Sequence, residues 1–481
     1  MTAEFPRPPS FSLPELYAAL HPVTAPATQS VFENWGRTFR CEPLAIFDPT
    51  SERHLELIVE LAQREKRTVR AVGVGHSPSD LACTSDFLVR MGHMDKIIEV
   101  NAEKQYVIAQ GGIILQRLHA ALDAHGLAMI NLGSISEQTL AGMVTTATHG
   151  TGYDHPVLST HVLAIRLLLP DGSRITCSRT ENVDIFMATL CGLGATGIIL
   201  DIKMQVTEKF RLREVQETQP FDEVVNNLDS IFRSSEFVRL WWWPQDRKIR
   251  VSAMDKSIEP KRPLHSWLWH SFVGYHVVQL LLFIGLLLPS FNISVGRFTS
   301  WLVRNRTVAV DDSLNVFNID CKYRHHTTEW ALPYDHAQAC LRDLRDWLEK
   351  EFADPNGLRP HCPLELRVSA ADEVWLSPSY GQRTCWIGIM QYKPYGYNVP
   401  YRTLFRSFED ILIRHGGRPH WAKAHHLRPD DLRALYPRFD DFRAVLARVD
   451  PQGMLRNEYV GRHIFGAEGP RFSERVFKTR L

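Results

Sequence analysis

The sequence predicts an α+β protein of two domains from its length and from two kinds of pattern. Its 481 residues exceed what one hydrophobic core usually holds, so two or three domains are expected. From Phe47 to about Val206, amphipathic helical spacing alternates with short β-branched runs. Further along, Pro363–Ser369 alternates strictly between apolar and polar residues, as strands do when one face is buried.

The composition is that of an ordinary globular protein and argues against one class of partner. Hydrophobic residues make up 44% and charged residues 23% of the chain. A formal net charge of +1 argues against nucleic acid as a partner, because domains that bind it normally carry a basic excess. No C-x-x-C pair is present, and we expect the cysteines to be reduced and mostly buried: Cys41, Cys83, Cys177, Cys191, Cys321, Cys340, Cys362 and Cys385.

The N-terminal stretch is proline-rich and precedes the first predicted helix. Residues 1–30 contain six prolines and lack the basic and apolar regions of a secretory signal peptide. We therefore expect a mobile N-terminal arm. The helix should begin after Asp48–Ser51, which supplies capping residues ahead of the apolar positions Leu55, Ile58 and Leu61.

A glycine-rich turn follows the predicted strand Thr68–Val72. Gly73 and Gly75 allow backbone N–H groups to approach an anion such as a pyrophosphate, because no Cβ stands in the way. The dinucleotide-binding fingerprint fails, since Pro78 occupies the place of its third glycine. The turn also contains His76, and an ordinary loop with a surface histidine remains the alternative.

Two further stretches of small residues occur in this region. Predicted strands at Lys96–Val100 and Tyr106–Ala109 precede Asn131–Gly152, which is too rich in Ser, Thr and Gly for an ordinary amphipathic helix. Cys191–Ile199 forms another such loop and leads into the predicted strand Ile198–Val206. A large flat cofactor would explain all three loops at once, whereas tight turns in a mixed sheet would explain each separately.

Four motifs carry a family resemblance: Gly-His-Ser-Pro-Ser-Asp at 75–80, Ser-Glu-Gln-Thr-Leu-Ala-Gly at 136–142, Thr-His-Gly-Thr-Gly at 148–152 and Arg-Pro-His-Trp-Ala-Lys-Ala-His at 418–425. With them the chain resembles the aldonolactone oxidases, which are vanillyl-alcohol-oxidase-type flavoproteins, from about Asn34 to about Tyr459. The resemblance implies an FAD-binding domain at 31–210 and a cap domain with an antiparallel sheet at 211–415. It also implies a C-terminal segment at 416–460 that returns to the flavin, and a tail at 461–481.

The same resemblance implies the cofactor site. His76 takes the place of the histidine that these oxidases bond to the 8α-methyl group of FAD, and dehydrogenases of plant type lack it. The pyrophosphate would lie against Val72, Gly73, Val74, Gly75 and Ser77. Further flavin contacts would come from Gly133, Ser134, Gly142, Thr145, Thr148, His149 and Ile198. The missing side chain of Gly133 would also leave oxygen a path to the reduced flavin, although the local turn alone could require a glycine.

The substrate side of the site is expected from the second domain and the C-terminal segment. In a strand over 363–369, Glu365 and Arg367 share one face. Alone, this pattern is typical of an exposed ion pair, but the resemblance implies that the pair meets the substrate over the flavin. Lys423 would place positive charge near the N1–C2=O edge of the flavin, with His420 beside it.

The implied activity is the FAD-dependent oxidation of an aldono-1,4-lactone by O2, with an ascorbate-type product and hydrogen peroxide. L-gulono-1,4-lactone is the favoured substrate, and D-arabinono-1,4-lactone is the alternative. A lactone dehydrogenase that uses another electron acceptor remains open. A membrane-associated binding module without catalysis is the alternative from a different class.

An apolar insertion at about 264–303 suggests contact with a membrane. No charged residue occurs from Leu264 to Gly296, a length that could cross a bilayer. A single crossing would separate the flavin loops from Glu365 and Lys423, so we expect a helical hairpin on the membrane surface or in one leaflet. A buried core helix is the alternative. The resemblance favours the endoplasmic reticulum, with a mitochondrial membrane as the alternative.

The histidines lack the spacing of a metal site. His149, His155 and His161 are spread along a loop, and the other groups are adjacent pairs. None combines i, i+4 helical spacing with a carboxylate, so we expect no catalytic metal.

Overall fold

The computed structural model describes residues 11–263, 267–319, 323–361, 363–468 and 472. Parts of the predicted arm, tail and apolar insertion lie outside these ranges, as do Cys321 and Cys362. The described cysteines are buried and form no disulfide among themselves, as expected: Cys41, Cys83, Cys177, Cys191, Cys340 and Cys385.

The chain from 11 to 30 is folded, so the prediction of a mobile arm is wrong for this stretch. Helix α1 (Leu13–Leu20) packs on helix α2 (Glu52–Glu65). Leu16 and Leu20 are buried in the same core as the apolar face of α2. The proline of α1 lies in its first turn, where a missing N–H costs no helix hydrogen bond. Among the described residues, Pro14, Pro22 and Pro26 thus mark a helix start and turns rather than disorder.

The N-terminal domain combines a small parallel sheet with a larger antiparallel one. Among the described residues, β3, β5 and β4 pair in parallel, and the antiparallel sheet has the order β10-β9-β11-β7-β6. These elements are β1 (Phe32–Glu33), β2 (Arg40–Cys41), β3 (Ala45–Phe47), β4 (Val69–Val72), β5 (Phe87–Arg90), β6 (Ile97–Asn101), β7 (Tyr106–Gln110), α3 (Leu115–Ala124), β8 (Leu127–Ala128), α4 (Leu140–Thr145), β9 (Val162–Leu168), β10 (Arg174–Ser178), α5 (Val183–Thr189), β11 (Ile198–Gln205) and β12 (Thr207–Glu208).

The predicted elements of this domain are confirmed at nearly the expected positions. The hydroxyl of Ser51 accepts a hydrogen bond from the backbone N–H of His54 at 3.3 Å and caps α2. In the stretch 131–152, α4 is short, as expected from the residue types. Its hydroxyls bond to the backbone instead: Thr145 Oγ1 donates to the carbonyl of Ala141 at 2.8 Å.

The cap domain is built on a long antiparallel sheet, as the resemblance implied. In the described part of the chain its strand order is β16-β13-β15-β14-β18-β19-β17-β20, and the last strand comes from the C-terminal segment. The cap elements are β13 (Arg211–Pro220), α6 (Phe221–Asn226), α7 (Leu228–Phe232), β14 (Phe237–Trp243), β15 (Lys248–Ser257), α8 (Val278–Leu287), α9 (Phe291–Leu302), β16 (Thr307–Asp312), α10 (Ser313–Phe317), β17 (His325–Pro333), α11 (Ala337–Ala353), β18 (Leu364–Ser369), β19 (Thr384–Tyr392) and α12 (Arg402–Arg414).

The C-terminal segment joins the cap sheet and then returns to the N-terminal domain through β20 (Arg418–Pro419), α13 (Pro429–Leu435), α14 (Phe439–Val449) and α15 (Glu458–Ile464). In α15, the Arg462 guanidinium donates two hydrogen bonds to the Asp80 carboxylate, at 2.8 and 2.9 Å. The predicted tail at 461–481 therefore begins too early, because residues 461–464 belong to a buried helix.

The apolar insertion contains a helical hairpin, as predicted. Helices α8 and α9 pack side by side, with Val278, Leu282 and Val295 between them and the cap. A π-helical segment, Trp267–Val277, precedes α8. Large apolar side chains on the outer surface are exposed: Leu280, Leu287, Leu288 and Trp301. None of the helices within the described ranges has both the length and the apolar character needed to cross a membrane.

Candidate active site

A deep cavity of about 1290 Å³, including its open mouth, lies where the two domains meet. All three small-residue loops of the N-terminal domain contribute to its wall, and the cap and the C-terminal segment close it. Of the predicted site residues, the following line it: Val72, Gly73, Val74, Gly75, His76, Ser77, Gly133, Ser134, Gly142, Thr145, Thr148, His149, Arg367, His420 and Lys423.

The turn after β4 packs against the start of α4. A Cβ on Gly73 would lie 2.3 Å from Oγ1 of Thr139, which is closer than any real contact. Gly75 has a φ of +72°, a conformation that favours glycine. The two glycines therefore let the turn pack closely on its neighbours, and residues 73–77 line the cavity, where a glycine turn fits the pyrophosphate of a dinucleotide.

A buried arginine ties the third loop to the same wall. Arg70, on β4, donates a hydrogen bond from Nη1 to the carbonyl of Leu193 at 2.6 Å. Burial lowers the pKa of Arg70 to about 10, so the side chain keeps its charge at neutral pH. The sequence pattern did not single out this residue, because its role depends on a partner far along the chain.

One predicted cofactor contact falls outside the cavity wall. The side chain of Ile198 is buried in the core beneath α2, whereas its neighbours Gly197 and Ile199 line the cavity. Successive side chains on a strand point to opposite faces, so a shift of one residue exchanges the cavity for the core. The side chain of Ile198 therefore does not line the cavity, so a contact between Ile198 and the flavin would have to come from its backbone.

His76 lies in the cavity wall beside an aromatic ring and a carboxylate. Its imidazole stacks on Trp35, with ring centroids 5.1 Å apart, and its Nε2 lies 3.3 Å from a carboxylate oxygen of Glu137. Burial lowers the pKa of His76 below its ordinary value, although Glu137 opposes the shift. The neutral imidazole that results is the nucleophilic form of this side chain.

Glu365 and Arg367 form a nearly buried pair on β18. Nε and Nη2 of Arg367 donate to the two carboxylate oxygens of Glu365, at 3.0 and 2.7 Å. Their side chains are 15% and 9% exposed, respectively. Arg367 lines the cavity, and the paired contact with Glu365 orients its guanidinium. Of the two residues expected to meet the substrate, Arg367 is the one that lines the cavity.

The structure adds Glu329, which the sequence did not single out. This residue of β17 is buried, and its carboxylate lies 3.2 Å from Nε2 of His149 and 3.6 Å from Nζ of Lys423. It reaches the cavity because β17 pairs with β19 and β20. A charged residue beside the apolar run 330–332 was the available sequence signal.

Glu329, His149, His420 and Lys423 form one corner of the cavity, and each group affects the pKa values of its neighbours. Burial would raise the pKa of Glu329, but His149, Lys423 and His420 together hold it well below its ordinary value. Burial lowers the pKa of both His149 and His420, and the nearby cation Arg367 acts in the same direction. The corner therefore holds an ionised carboxylate between cationic and imidazole groups.

His149, Glu329 and His420 also form a triad of the size that a metal ion needs. Their ligand atoms lie within 4.8 Å of one another. The ammonium group of Lys423 lies beside the same carboxylate and would repel a cation. The triad brings together residues that the sequence analysis treated separately, and its charges favour proton chemistry over metal binding.

Comparison with protein families gives two matches along the chain. An FAD-binding-domain profile matches residues 43–178, and a D-arabinono-1,4-lactone oxidase profile matches residues 202–463. The glycine turn and the large cavity fit the FAD that the first profile implies. The N-terminal part of the chain is therefore an FAD-binding domain.

Whole-chain relatives and a solved structure agree with these matches. The chain is 38% identical to L-gulonolactone oxidase from Scyliorhinus torazame, over 90% of this chain and 98% of that protein. It is 31% identical to D-arabinono-1,4-lactone oxidase from Eremothecium gossypii, over 82% and 84%. Cholesterol oxidase from Brevibacterium sterolicum has the same fold, with a TM-score of 0.80 and 16% identity over 96% of this chain and 100% of that chain. The fold is that of the vanillyl-alcohol-oxidase-type flavoproteins.

Proposed function

This chain belongs to the D-arabinono-1,4-lactone oxidase family of FAD proteins, and we propose that it oxidises L-gulono-1,4-lactone with O2 to an ascorbate-type product and hydrogen peroxide. The observation that carries this proposal is the 38% identity to an L-gulonolactone oxidase across 90% of the chain. The cationic groups that face one cavity, Arg367 and Lys423, suit a polar, uncharged sugar lactone.

Bound FAD supplies the acceptor for a hydride from the carbinol carbon of the substrate. The protein supplies charge and orientation. Arg367, held by Glu365, donates hydrogen bonds to the lactone oxygens and stabilises alkoxide character as the hydroxyl proton leaves. Lys423 places positive charge beside the flavin site, where negative charge develops during reduction.

Substrate tests separate the candidate activities. We expect purified holoenzyme to consume O2 and release hydrogen peroxide with L-gulono-1,4-lactone, and with lower kcat/KM with D-arabinono-1,4-lactone. If D-arabinono-1,4-lactone has the higher kcat/KM, the alternative substrate is correct. Reduction of an artificial electron acceptor without O2 uptake would instead indicate a dehydrogenase. Purified protein without flavin would favour a non-catalytic binding module.

We further propose that FAD is bonded covalently to His76. Support comes from its position in the cavity wall and from the lowered pKa that keeps the imidazole neutral. After acid precipitation, we expect flavin to remain with the wild-type polypeptide and to appear in the supernatant for His76→Ala. A matched control is His54→Ala, because His54 lies on α2 away from the cavity. Free flavin from wild-type protein would refute the bond.

The helical hairpin is proposed to rest on a membrane surface or within one leaflet. Helix α8 spans 10 residues, or about 15 Å at 1.5 Å per residue, which is half of a hydrocarbon core about 30 Å thick. Leu287 and Leu288, at the hairpin tip, are 61% and 60% exposed. Apolar surface at such a tip is suited to insertion beside the lipid headgroups.

A vesicle assay tests this membrane contact. We expect the protein to float with phospholipid vesicles and to resist release by high salt. The double variant Leu287→Asp/Leu288→Asp should remain in the soluble fraction. The control is Ile258→Asp, at a site 99% exposed and outside the hairpin. Release of wild-type protein by salt alone would show that the hairpin is not embedded.

For the cellular location we propose the endoplasmic reticulum membrane, with the mitochondrial membrane as the alternative. The support is the higher identity to an animal L-gulonolactone oxidase than to a fungal D-arabinono-1,4-lactone oxidase, 38% against 31%. Fractionation of cells that express the chain, with markers for both organelles, distinguishes the two. A role in ascorbate biosynthesis is proposed on the same basis.

A further inference from the structure

The substrate hydroxyl must lose a proton, and Glu365 is poorly placed to take it. Both of its carboxylate oxygens accept hydrogen bonds from Arg367, at 3.0 and 2.7 Å. Protonation of either oxygen would break one arm of this paired contact. Glu365 is also not among the residues that line the cavity. A group that lines the cavity and lacks such a paired contact is better placed to receive the proton.

His149 faces two hydrogen-bond acceptors. Its Nδ1 lies 2.9 Å from the carbonyl oxygen of Gly150, so Nδ1 must carry a proton and donate it. Its Nε2 lies 3.2 Å from a carboxylate oxygen of Glu329. A neutral imidazole with its proton on Nδ1 leaves a lone pair on Nε2 that faces the carboxylate. One further proton between these two atoms would turn a repulsive contact into a hydrogen bond.

We propose that the Glu329–His149 pair accepts the proton of the reacting hydroxyl, an inference that rests on the function proposed above. As the hydroxyl O–H bond breaks, its proton passes to the pair. The C–H bond breaks with both electrons going to FAD, and the C=O bond forms. Reoxidation by O2 combines those two electrons, the transferred hydrogen and the stored proton into hydrogen peroxide. The pair then returns to its starting state.

The neighbouring charges suit this role. Lys423 lies 3.6 Å from the other oxygen of Glu329, which favours the ionised carboxylate before the reaction. His420 cannot compete as the acceptor at Nδ1, because that nitrogen accepts a hydrogen bond from the N–H of Ala422 at 3.1 Å. The same hydrogen bond leaves the proton of neutral His420 on Nε2, where it is a donor. Before transfer, the two carboxylates of Glu329 and Glu365 balance the charges of Lys423 and Arg367. A proton gained here therefore offsets the hydride's negative charge.

The test follows flavin reduction by lactone in the absence of O2 at several pH values. The wild-type rate should fall on the acidic side as the pair becomes protonated. Glu329→Gln should lose about 100-fold or more in rate, as expected for a missing general base, and should lose the acidic limb. Glu329→Asp should restore both in part. Glu365→Gln is the matched control: it changes the rate but should keep the acidic limb.

Two measurements without turnover complete the test. A pH titration of the oxidised flavin's absorbance should show one transition in wild-type protein that Glu329→Gln removes. A lactone analogue that lacks the reacting hydroxyl should bind Glu329→Gln with a Kd close to that of wild type, which excludes a general loss of structure. The inference is overturned if Glu329→Gln keeps a rate within tenfold of wild type, keeps its acidic limb or keeps the spectral transition. Failure of every lactone to reduce wild-type flavin would instead refute the proposed function, and the spectral titration would still report on the pair.

Discussion

Replacing Arg367 with alanine tests the organisation of the substrate side. The change removes two hydrogen bonds to Glu365 and the cationic group that reaches the cavity. The exposed fractions of the two side chains are only 9% and 15%, so the remaining carboxylate is left largely buried without its partner. Breaking one side of such a pair costs about 3–5 kcal/mol in the free energy of unfolding.

Arg367→Ala should also slow the reaction, independently of its effect on stability. Loss of one preorganised donor to developing negative charge lowers kcat about 100- to 1000-fold. Urea unfolding of the holoenzyme measures the stability change, and anaerobic flavin reduction by lactone measures the catalytic one. We expect flavin to remain with the protein in both measurements, since the turn after β4 is untouched.

A second variant separates the two effects. Adding Glu365→Gln to Arg367→Ala removes the unpaired charge, so part of the lost stability should return. The rate should not recover, because the cationic group is still missing. If Arg367→Ala reduces its flavin as fast as wild type, the assignment of this side chain to the substrate is refuted. If the free energy of unfolding changes but the rate of flavin reduction does not, Arg367 only stabilises the cap sheet.

Four further outcomes are expected. Gly133→Ala would place a Cβ 3.1 Å from Cγ2 of Thr148. In stopped-flow experiments, reoxidation of the reduced flavin by O2 should slow at least about tenfold, which corresponds to about 1.4 kcal/mol in the barrier. An unchanged rate would refute the proposed oxygen path past Gly133. Arg462→Met breaks the buried ion pair with Asp80 and should lower the free energy of unfolding by about 3 kcal/mol. An unchanged urea midpoint would show that this contact of α15 does not stabilise the FAD-binding domain. Dialysis against EDTA should leave flavin reduction unaffected, because an ammonium group lies beside the candidate metal triad; a loss that one metal reverses would refute this. Histidines in the unfolded chain titrate near pH 6.5. Burial lowers the pKa of His119, His325 and His361 in the folded protein to about 4. As the pH falls between these values, the unfolded state therefore binds more protons than the folded state. Urea unfolding should therefore show stability decreasing between pH 6.5 and about pH 4 by about 1.4 kcal/mol per pH unit for each such group, and a flat profile in this range would contradict the burial of His119, His325 and His361.

Sequence patterns predict the structure correctly where the reason for a residue type lies in the conformation of its own backbone or of its near neighbours. The positive φ of Gly75 after β4 is a local backbone requirement that the glycine itself indicates, whereas the close contact of Gly73 with Thr139 appears only in the structure. The Ser51 cap and the alternation in β18 are equally local. The predictions for the N-terminal arm and the C-terminal tail are wrong because both segments are held by distant partners. Proline content does not show that residues 11–30 pack on α2. The end of the family resemblance near Tyr459 does not show that α15 pairs with Asp80.

The sequence by itself predicted the flavin side of this protein, because its loops of small residues permit close contact with a cofactor and its motifs resemble those of a flavoprotein family. Only the tertiary structure decided the proton side. Glu329 lies in the middle of β17 and meets His149 and Lys423 through the pairing of β17 with β19 and β20. Its ionised state depends on charges that lie 180 residues before it and 94 after it in the chain. No periodicity records such contacts, since they are set by the order of strands in the cap sheet and not by neighbours in sequence.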